Sequence, residues 1–338
     1  MHRMLWAVLI GFAATLLVGP AMIRLLRRLK LGQQVYELAP KSHQSKQGVP
    51  TMAGLMFAGV SILVAFVLRV GAFDYQSDFM LVLAAFSLLN LLIGFVDDML
   101  KIRRKKNQGG LRERSKVVAQ ILISLAFSLY CYFHPQVGSS IVVPFFNVEW
   151  DLGIYYMPVM MFAIICTTNA SNLLDGLDGL LGGVSLSVMA TMGLFALFFA
   201  GMLSVGAQQD NLLNLAIFCT ALVGSLMGYL RYNMSPAQML MGDTGSMYIG
   251  AVFVGAAMLL RLPLLIPIAG FMMVWSLLST FIQRMYFKAT HGKRIFKNSP
   301  YHHHLEMSGT PETRIVSMYA LITILLCLLC FLAVPAGL

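Results

Sequence analysis

MPVMMFAIICTT (157–168), NASNLLDGLDG (169–179) and LLGGVSLSVMATMGLFALFFAGMLSV (180–205) follow one another without a break: two apolar runs joined by a short polar segment. Asn169, Asn172, Asp175 and Asp178 recur there at a strict spacing of three. On a continuous helix that spacing drifts by about 60° per step and fans four side chains over half the cylinder. A helix that ends near Asp175, with Gly176 and Gly179 permitting the ending, gathers them instead. The stretch reads as a membrane helix opening into a short loop of oxygen donors aimed at something cationic. A plain polar loop between two spans is the simpler alternative. Against it, isolated carboxylates beside a bilayer need a partner and usually mark function.

The rest of the chain agrees with this beginning. Hydrophobic residues make up 58% of it, charged residues 11%, and the mean hydropathy is +0.77. A soluble domain carries about 25% charge, so a soluble core and disorder are both excluded. The net charge of +10 fits basic loops meeting anionic lipids or an anionic substrate, and no nucleic acid is implied. Cys131, Cys166, Cys219, Cys327 and Cys330 all fall in apolar runs and form no CxxC. They read as small buried hydrophobes, without a disulfide framework or a zinc site.

About 20 apolar residues span a bilayer. Ten segments qualify: roughly 4–23, 52–70, 79–96, 117–134, 153–174, 180–205, 211–230, 244–261, 262–283 and 315–335. Arg261, Pro263 and Pro267 suggest a tight turn inside 244–283, with one long broken helix as the alternative. The basic cluster Arg24, Arg27, Arg28 and Lys30 follows the first run rather than preceding it, so that run is expected to be retained, not cleaved as a signal peptide. With its front end outside, the interior segments 24–51, 97–116, 174–179, 231–243 and 284–314 hold 21 of the 24 Lys and Arg residues. The expected fold is a single all-α integral membrane domain over residues 1–338, with about ten spans and both termini periplasmic. A small exterior hairpin is expected within 134–153, where β-branched and aromatic residues flank turn formers.

On this topology the tightest polar motifs share the interior face. Asp97-Asp98 ends the apolar run Leu88–Val96, where carboxylates oppose a helix C-terminus at a cost of about 0.3–1 kcal/mol each. A cation or a proton-transfer duty accounts for such a placement, and Lys101 at i+4 can pair with Asp97 or hold a phosphate. Met241-Gly242-Asp243-Thr244-Gly245-Ser246 opens another span; Asp243 is either a cation ligand or an ordinary N-cap. Ser299-Pro300-Tyr301-His302-His303-His304-Leu305-Glu306 carries three consecutive histidines, which diverge by about 100° on a helix and so cannot share one metal. They suit phosphate binding or proton relay. Lys46-Gln47-Gly48-Val49-Pro50-Thr51-Met52 adds a cation and a hydroxyl, and Lys116 is another interior cation. Carboxylate loops with basic neighbours suggest Mg²⁺ and phosphates, hence phosphoryl transfer at the membrane boundary.

Asp97-Asp98, NxxNLLDGLDGL, MGDTGS and SPYHHHLE, in this order, resemble the polyprenyl-phosphate N-acetylhexosamine-1-phosphate transferase superfamily over nearly the whole chain. The KxGxPTM and HHHxE segments resemble those members that act on UDP-N-acetylmuramoyl-pentapeptide. The resemblance implies transfer of the phospho-sugar to undecaprenyl phosphate with release of UMP, a bacterial inner membrane, Mg²⁺ and a homodimer. It implies Asp243 as the magnesium ligand and Asp97 and Asp98 as an essential pair, Asp98 deprotonating the lipid phosphate and Lys101 helping to position it. By the same likeness Asn172, Asp175 and Asp178 shape the nucleotide site, with Asn233 and Gln283 near the nucleoside. His302 and His303 match an essential histidine loop, with His304 beside them, Lys46 and Thr51 match a substrate-contacting loop, and Ser246 joins the substrate-binding set. Val49, Ala53, Leu174 and Leu240 depart from the family pattern, which has Thr, Gly, Thr and Phe there. The alternatives are an N-acetylglucosamine-1-phosphate transferase and, in another class, an ion-coupled transporter. Transporters place their carboxylates near the bilayer midplane.

Overall fold

The computed structural model describes residues 1–32, 48–71, 78–104, 109–146 and 148–334. The chain runs through α1 (His2–Arg28), α2 (Gly54–Leu68), α3 (Phe79–Arg104) and α4 (Glu113–Phe133) into a hairpin of β1 (Ser140–Val143) and β2 (Val148–Asp151). It continues through α5 (Tyr156–Leu174), α6 (Leu180–Met202), α7 (Ala207–Asn233), α8 (Gly242–Leu259), α9 (Ile266–Ala269), α10 (Phe271–Ala289), α11 (Tyr301–Met307) and α12 (Glu312–Ala333). The hairpin is antiparallel, pairing Ser140 with Asp151 and Val143 with Val148, inside the segment expected for it.

Helices occupy all ten apolar segments. Among the described residues seven helices are long and apolar enough to cross a membrane, or eight if α9 and α10 are one bent span. The 15-residue α2 is shorter, and the 18-residue α8 opens on the polar Gly-Asp-Thr-Gly-Ser. The stretch 244–283 is not one continuous helix: Arg261 takes φ +61 where the chain reverses between α8 and α9. A further break at Gly270 bends α9 against α10 by 80°. α3 differs from expectation, continuing to Arg104 rather than stopping at the aspartate pair.

Apolarity sorts the layers. From Thr244 to Leu259 every residue of α8 is buried, as expected of a helix apolar around its whole circumference. It packs on α3, α5 and α2, while α7 packs on α1, α6 and α2. In α7, 78% of the apolar window is inside the protein, against 28% in α1, α4 and α12, which places the last three at the rim.

Polar contacts collect at the two ends of the bundle. At one end Arg3 donates to the carbonyls of Leu68 and Arg69, Asn214 exchanges hydrogen bonds with Val70, and Arg261 reaches Ser140 and Glu149 of the hairpin. The Phe145 N–H donates to the carbonyl of Ala333 at this end, so the start of α1 and the end of α12 share it. The acidic motifs lie at the other end.

Candidate functional site

The site is organised by the first turn of α8. The orphan N–H groups of a helix start need acceptors, and here α3 supplies them. Asp98 Oδ1 accepts from the Asp243 N–H at 3.2 Å, and Oδ2 accepts from the Thr244 N–H at 2.9 Å and its hydroxyl at 2.7 Å. Asp98 therefore sits at the positive end of α8 rather than at the C-terminus of its own helix, and the expected macrodipole penalty becomes a favourable term. Gly242 makes the approach possible: its φ is +69, and a Cβ there would stand 2.5 Å from Asp98 Oδ2 and 2.8 Å from Thr51 Oγ. Gly94, one turn before Asp98, would press any side chain onto the Asp243 carbonyl. The Thr51 segment is laced to the same place, with the Leu240 N–H donating to the Pro50 carbonyl and the Ala53 N–H to that of Leu240.

With the capping task taken by Asp98, the Asp243 carboxylate turns to cations. Its Oδ2 lies 3.1 Å from Lys101 Nζ and 3.3 Å from Lys116 Nζ. Lys101 also binds Asp97 Oδ2 at 2.7 Å, while Asp97 Oδ1 accepts the Leu111 N–H at 2.7 Å. Asp97 and Asp98 are only 4% and 6% exposed. Three carboxylates against two ammonium groups in a poorly solvated cleft leave acceptor oxygens in excess, which suits a further cation. Lys116 was one interior cation among many in the sequence, and only the packing of α4 reveals its task.

The segment that opened the sequence reading ends α5 at Leu174, with Asp175 as the capping position. Asn172 Nδ2 donates to Ser246 Oγ at 2.9 Å, and Ser171 Oγ to the Ser246 carbonyl at 2.8 Å, so α5 is pinned to α8. Asn169 instead bonds back to the Ile165 carbonyl of its own helix at 2.7 Å. Asp178 Oδ2 accepts the Ala237 N–H at 3.0 Å, and Asn233 joins the Gly179 N–H to the Met239 carbonyl, 3.0 Å on each side. Asp178 and Asn233 thus hold the 175–179 and 234–241 loops together.

The histidines diverge as helix geometry requires. His302 is fully buried, its Nε2 edge against the back of Gly176 in the Asp175–Asp178 loop. His303 Nδ1 meets Glu306 at 3.2 Å. His304 faces elsewhere, accepting the Lys297 N–H at 3.1 Å. Gln283 Oε1 accepts the Ile295 and Phe296 N–H groups at 3.2 and 3.0 Å and braces the same 291–299 loop. Glu312, absent from the sequence reading, accepts the Asp178 N–H at 2.6 Å and latches α12 to the aspartate loop.

The structure therefore joins Asp97, Asp98, Lys101, Lys116, Asn172, Asp243 and Ser246 in one network, with Thr51 against it. It sets Asp175, Asp178, Asn233 and His302 beside one another as a second layer, and gives Gln283 and His304 a bracing place. Lys46 lies outside the described residues. Among the described residues no group of three or more His, Cys, Asp and Glu side chains is arranged to hold a metal ion.

Residues 80–261 match the family described as glycosyl transferase family 4. Over 334 residues the chain is 42% identical to the phospho-N-acetylmuramoyl-pentapeptide-transferase of Clostridium novyi, covering 98% of this chain and 97% of the relative. It is 43% identical to the protein of the same name from Clostridium kluyveri, covering 98% and 100%, and 40% identical to that of Clostridium acetobutylicum, covering 98% and 99%. With this agreement over nearly its full length, the chain belongs to the phospho-N-acetylmuramoyl-pentapeptide-transferase family within glycosyl transferase family 4.

Proposed function

We infer that the protein transfers phospho-N-acetylmuramoyl-pentapeptide from its UDP conjugate to undecaprenyl phosphate, yielding lipid I and UMP for peptidoglycan synthesis. The observation that carries the inference is the convergence of Asp97, Asp98 and Asp243 with Lys101 and Lys116 at one end of a membrane bundle. Such a cluster suits a reaction whose charge lies on phosphates. Lys101 and Lys116 attract the diphosphate and balance its charge. His302 packs against the aspartate loop at Gly176 with the His303 ring beside it, and the family likeness gives this pair the phosphate oxygens and Thr51, Asn172 and Ser246 the substrate. By the family likeness Asp98 takes the proton of the lipid phosphate. Its three donors from the first turn of α8 support another duty as well, holding that turn so that Asp243 faces the cleft.

Magnesium fits the donor set. Mg²⁺ is usually held by one or two carboxylates together with waters and substrate phosphates, and Asp243 is the carboxylate that would hold it. When bound, the ion would neutralise charge on the diphosphate. The basic residues concentrated in the interior segments support an active site facing the cytoplasm of a bacterial inner membrane, ten passes and periplasmic termini. Assembly as a homodimer is carried over from the family likeness, and a single in-line displacement is the simplest course.

Incubating the purified protein with undecaprenyl phosphate and each UDP-sugar tests the reading. Lipid product is expected from UDP-N-acetylmuramoyl-pentapeptide; product from UDP-N-acetylglucosamine alone would overturn it.

A further inference from the structure

An open surface groove with a basic rim lies on α10, lined by none of the residues of the Asp243 network. It has a volume of about 260 Å³, and Arg284 and Lys288 of α10 and Arg294 of the following turn line it, together with Asn298 and Ser299. Arg284 and Lys288 are one helical turn apart and face the same side. No carboxylate among the described residues lines the groove, and Arg294 spends one N–H on the carbonyl of Lys297 at 3.3 Å. Gln283, which is 7% exposed, forms the floor with its carbonyl already taken by the 291–299 loop, leaving its amide N–H₂ as the group to offer. Arg284, Lys288 and Arg294 are exposed, and three cations with an amide donor and no acid among them attract an anion.

The surroundings say which kind. The same two turns of α10 expose Phe281 at 59%, Met285 at 55% and Phe287 at 44%. A helix end that mixes exposed aromatic and aliphatic side chains with cations lies along a bilayer interface, its apolar groups among acyl chains and its charges at phosphate depth. A soluble anion has no use for such a skirt. We propose that Arg284, Lys288 and Arg294 form a binding site for the phosphate of an anionic phospholipid, in the leaflet at the active-site end of the bundle. The occupant bridges α10 and the 291–299 loop, the loop that His304 and Gln283 also brace.

The test uses the full-length protein in mixed micelles with a fluorescent phosphatidylglycerol, and the same label on phosphatidylcholine. The wild type is expected to bind the phosphatidylglycerol at least about 10-fold more tightly. Each cation near an anionic surface contributes about 1 kcal/mol, so the Arg284→Ala/Lys288→Ala/Arg294→Ala variant is expected to lose on the order of 100-fold in affinity. Its turnover in neutral detergent at saturating substrates should stay within about twofold of wild type. Equal binding of the two lipids by the wild type, which needs no variant, would overturn the proposal. So would undiminished phosphatidylglycerol binding by the variant, loss of its turnover, or displacement of the probe by millimolar inorganic phosphate, which would mark a site for soluble anions. None of these outcomes depends on which UDP-sugar the enzyme uses.

Discussion

The two ends of the bundle spend their charges differently. At the hairpin end the groups close on one another nearly one to one: Arg261 pairs with Glu149, Asp78 takes the Tyr130 hydroxyl and faces His134, and the Asn214 amide is matched to both backbone groups of Val70. At the other end one oxygen of Asp243 receives two ammonium groups, and one lysine is shared between two carboxylates. Both arrangements are polar and partly buried. The first satisfies itself and holds helix ends in place. The second shares its charges instead of pairing them off, with three carboxylates against two ammonium groups, an arrangement that can accept an ion and a phosphorylated substrate.

Neutralising Asp243 should have the largest effect. Asp243→Asn is expected to lower turnover by about 1,000-fold while the protein still elutes as a folded species in detergent, and EDTA should stop the wild-type enzyme until Mg²⁺ is restored. Wild-type rates in the variant, or EDTA-resistant turnover, would remove the distinction between the ends.

The next comparison sets a cation of each end against the other. Lys116→Ala should cost roughly 100-fold in kcat with little change in melting temperature. Arg261→Ala should leave kcat unchanged and lower stability by about 1 kcal/mol or less, the usual worth of a partly exposed ion pair. The reverse pattern would assign catalysis to the wrong end.

A smaller effect separates positioning from chemistry. Glu312 accepts the Asp178 N–H of the aspartate loop and is expected to act through it. Glu312→Ala should raise KM for the UDP conjugate about 10-fold with kcat nearly constant, and Glu312→Gln, which keeps the accepting oxygen, should restore it. Equal loss in both variants would mean that the charge itself matters.

The smallest effect belongs to the hairpin end. Burial lowers the pKa of His134 below its usual value, against the upward pull of Asp78. The folded protein therefore binds fewer protons here than the unfolded chain, so this contribution to stability is present above pH 6.5 and fades as the pH falls through and below that value. Melting temperature should drop between pH 7 and 5, and His134→Asn should flatten the drop. An unchanged slope would show that His134 is not responsible.

Much of this was legible from spacing. The three-residue rhythm of Asn169, Asn172, Asp175 and Asp178, with Gly176 and Gly179, located the end of α5 at Leu174, though Asn169 turns back to its own helix and the four side chains do not meet. Charge asymmetry placed the acidic motifs together, since long apolar runs leave the chain few ways to sort its polar ends. What stayed hidden depends on contacts between distant segments. Asp98 looked like a strained helix end because nothing in its own segment showed that α3 continues to Arg104 or that the first turn of α8 would lie beside it. Asp243 looked like a possible cap for the same reason. Lys116 was one of eight Lys and Arg residues in 97–116, and the Glu312 bond joins positions 134 residues apart.

The most direct test of the cluster as a divalent-ion and phosphate site is electron paramagnetic resonance of Mn²⁺ added with UMP. The wild type and Arg261→Ala should each bind one Mn²⁺ whose spectrum shows coupling to the phosphorus of UMP, and Asp243→Asn should lose that bound signal. A bound, phosphorus-coupled signal persisting in Asp243→Asn would contradict the account.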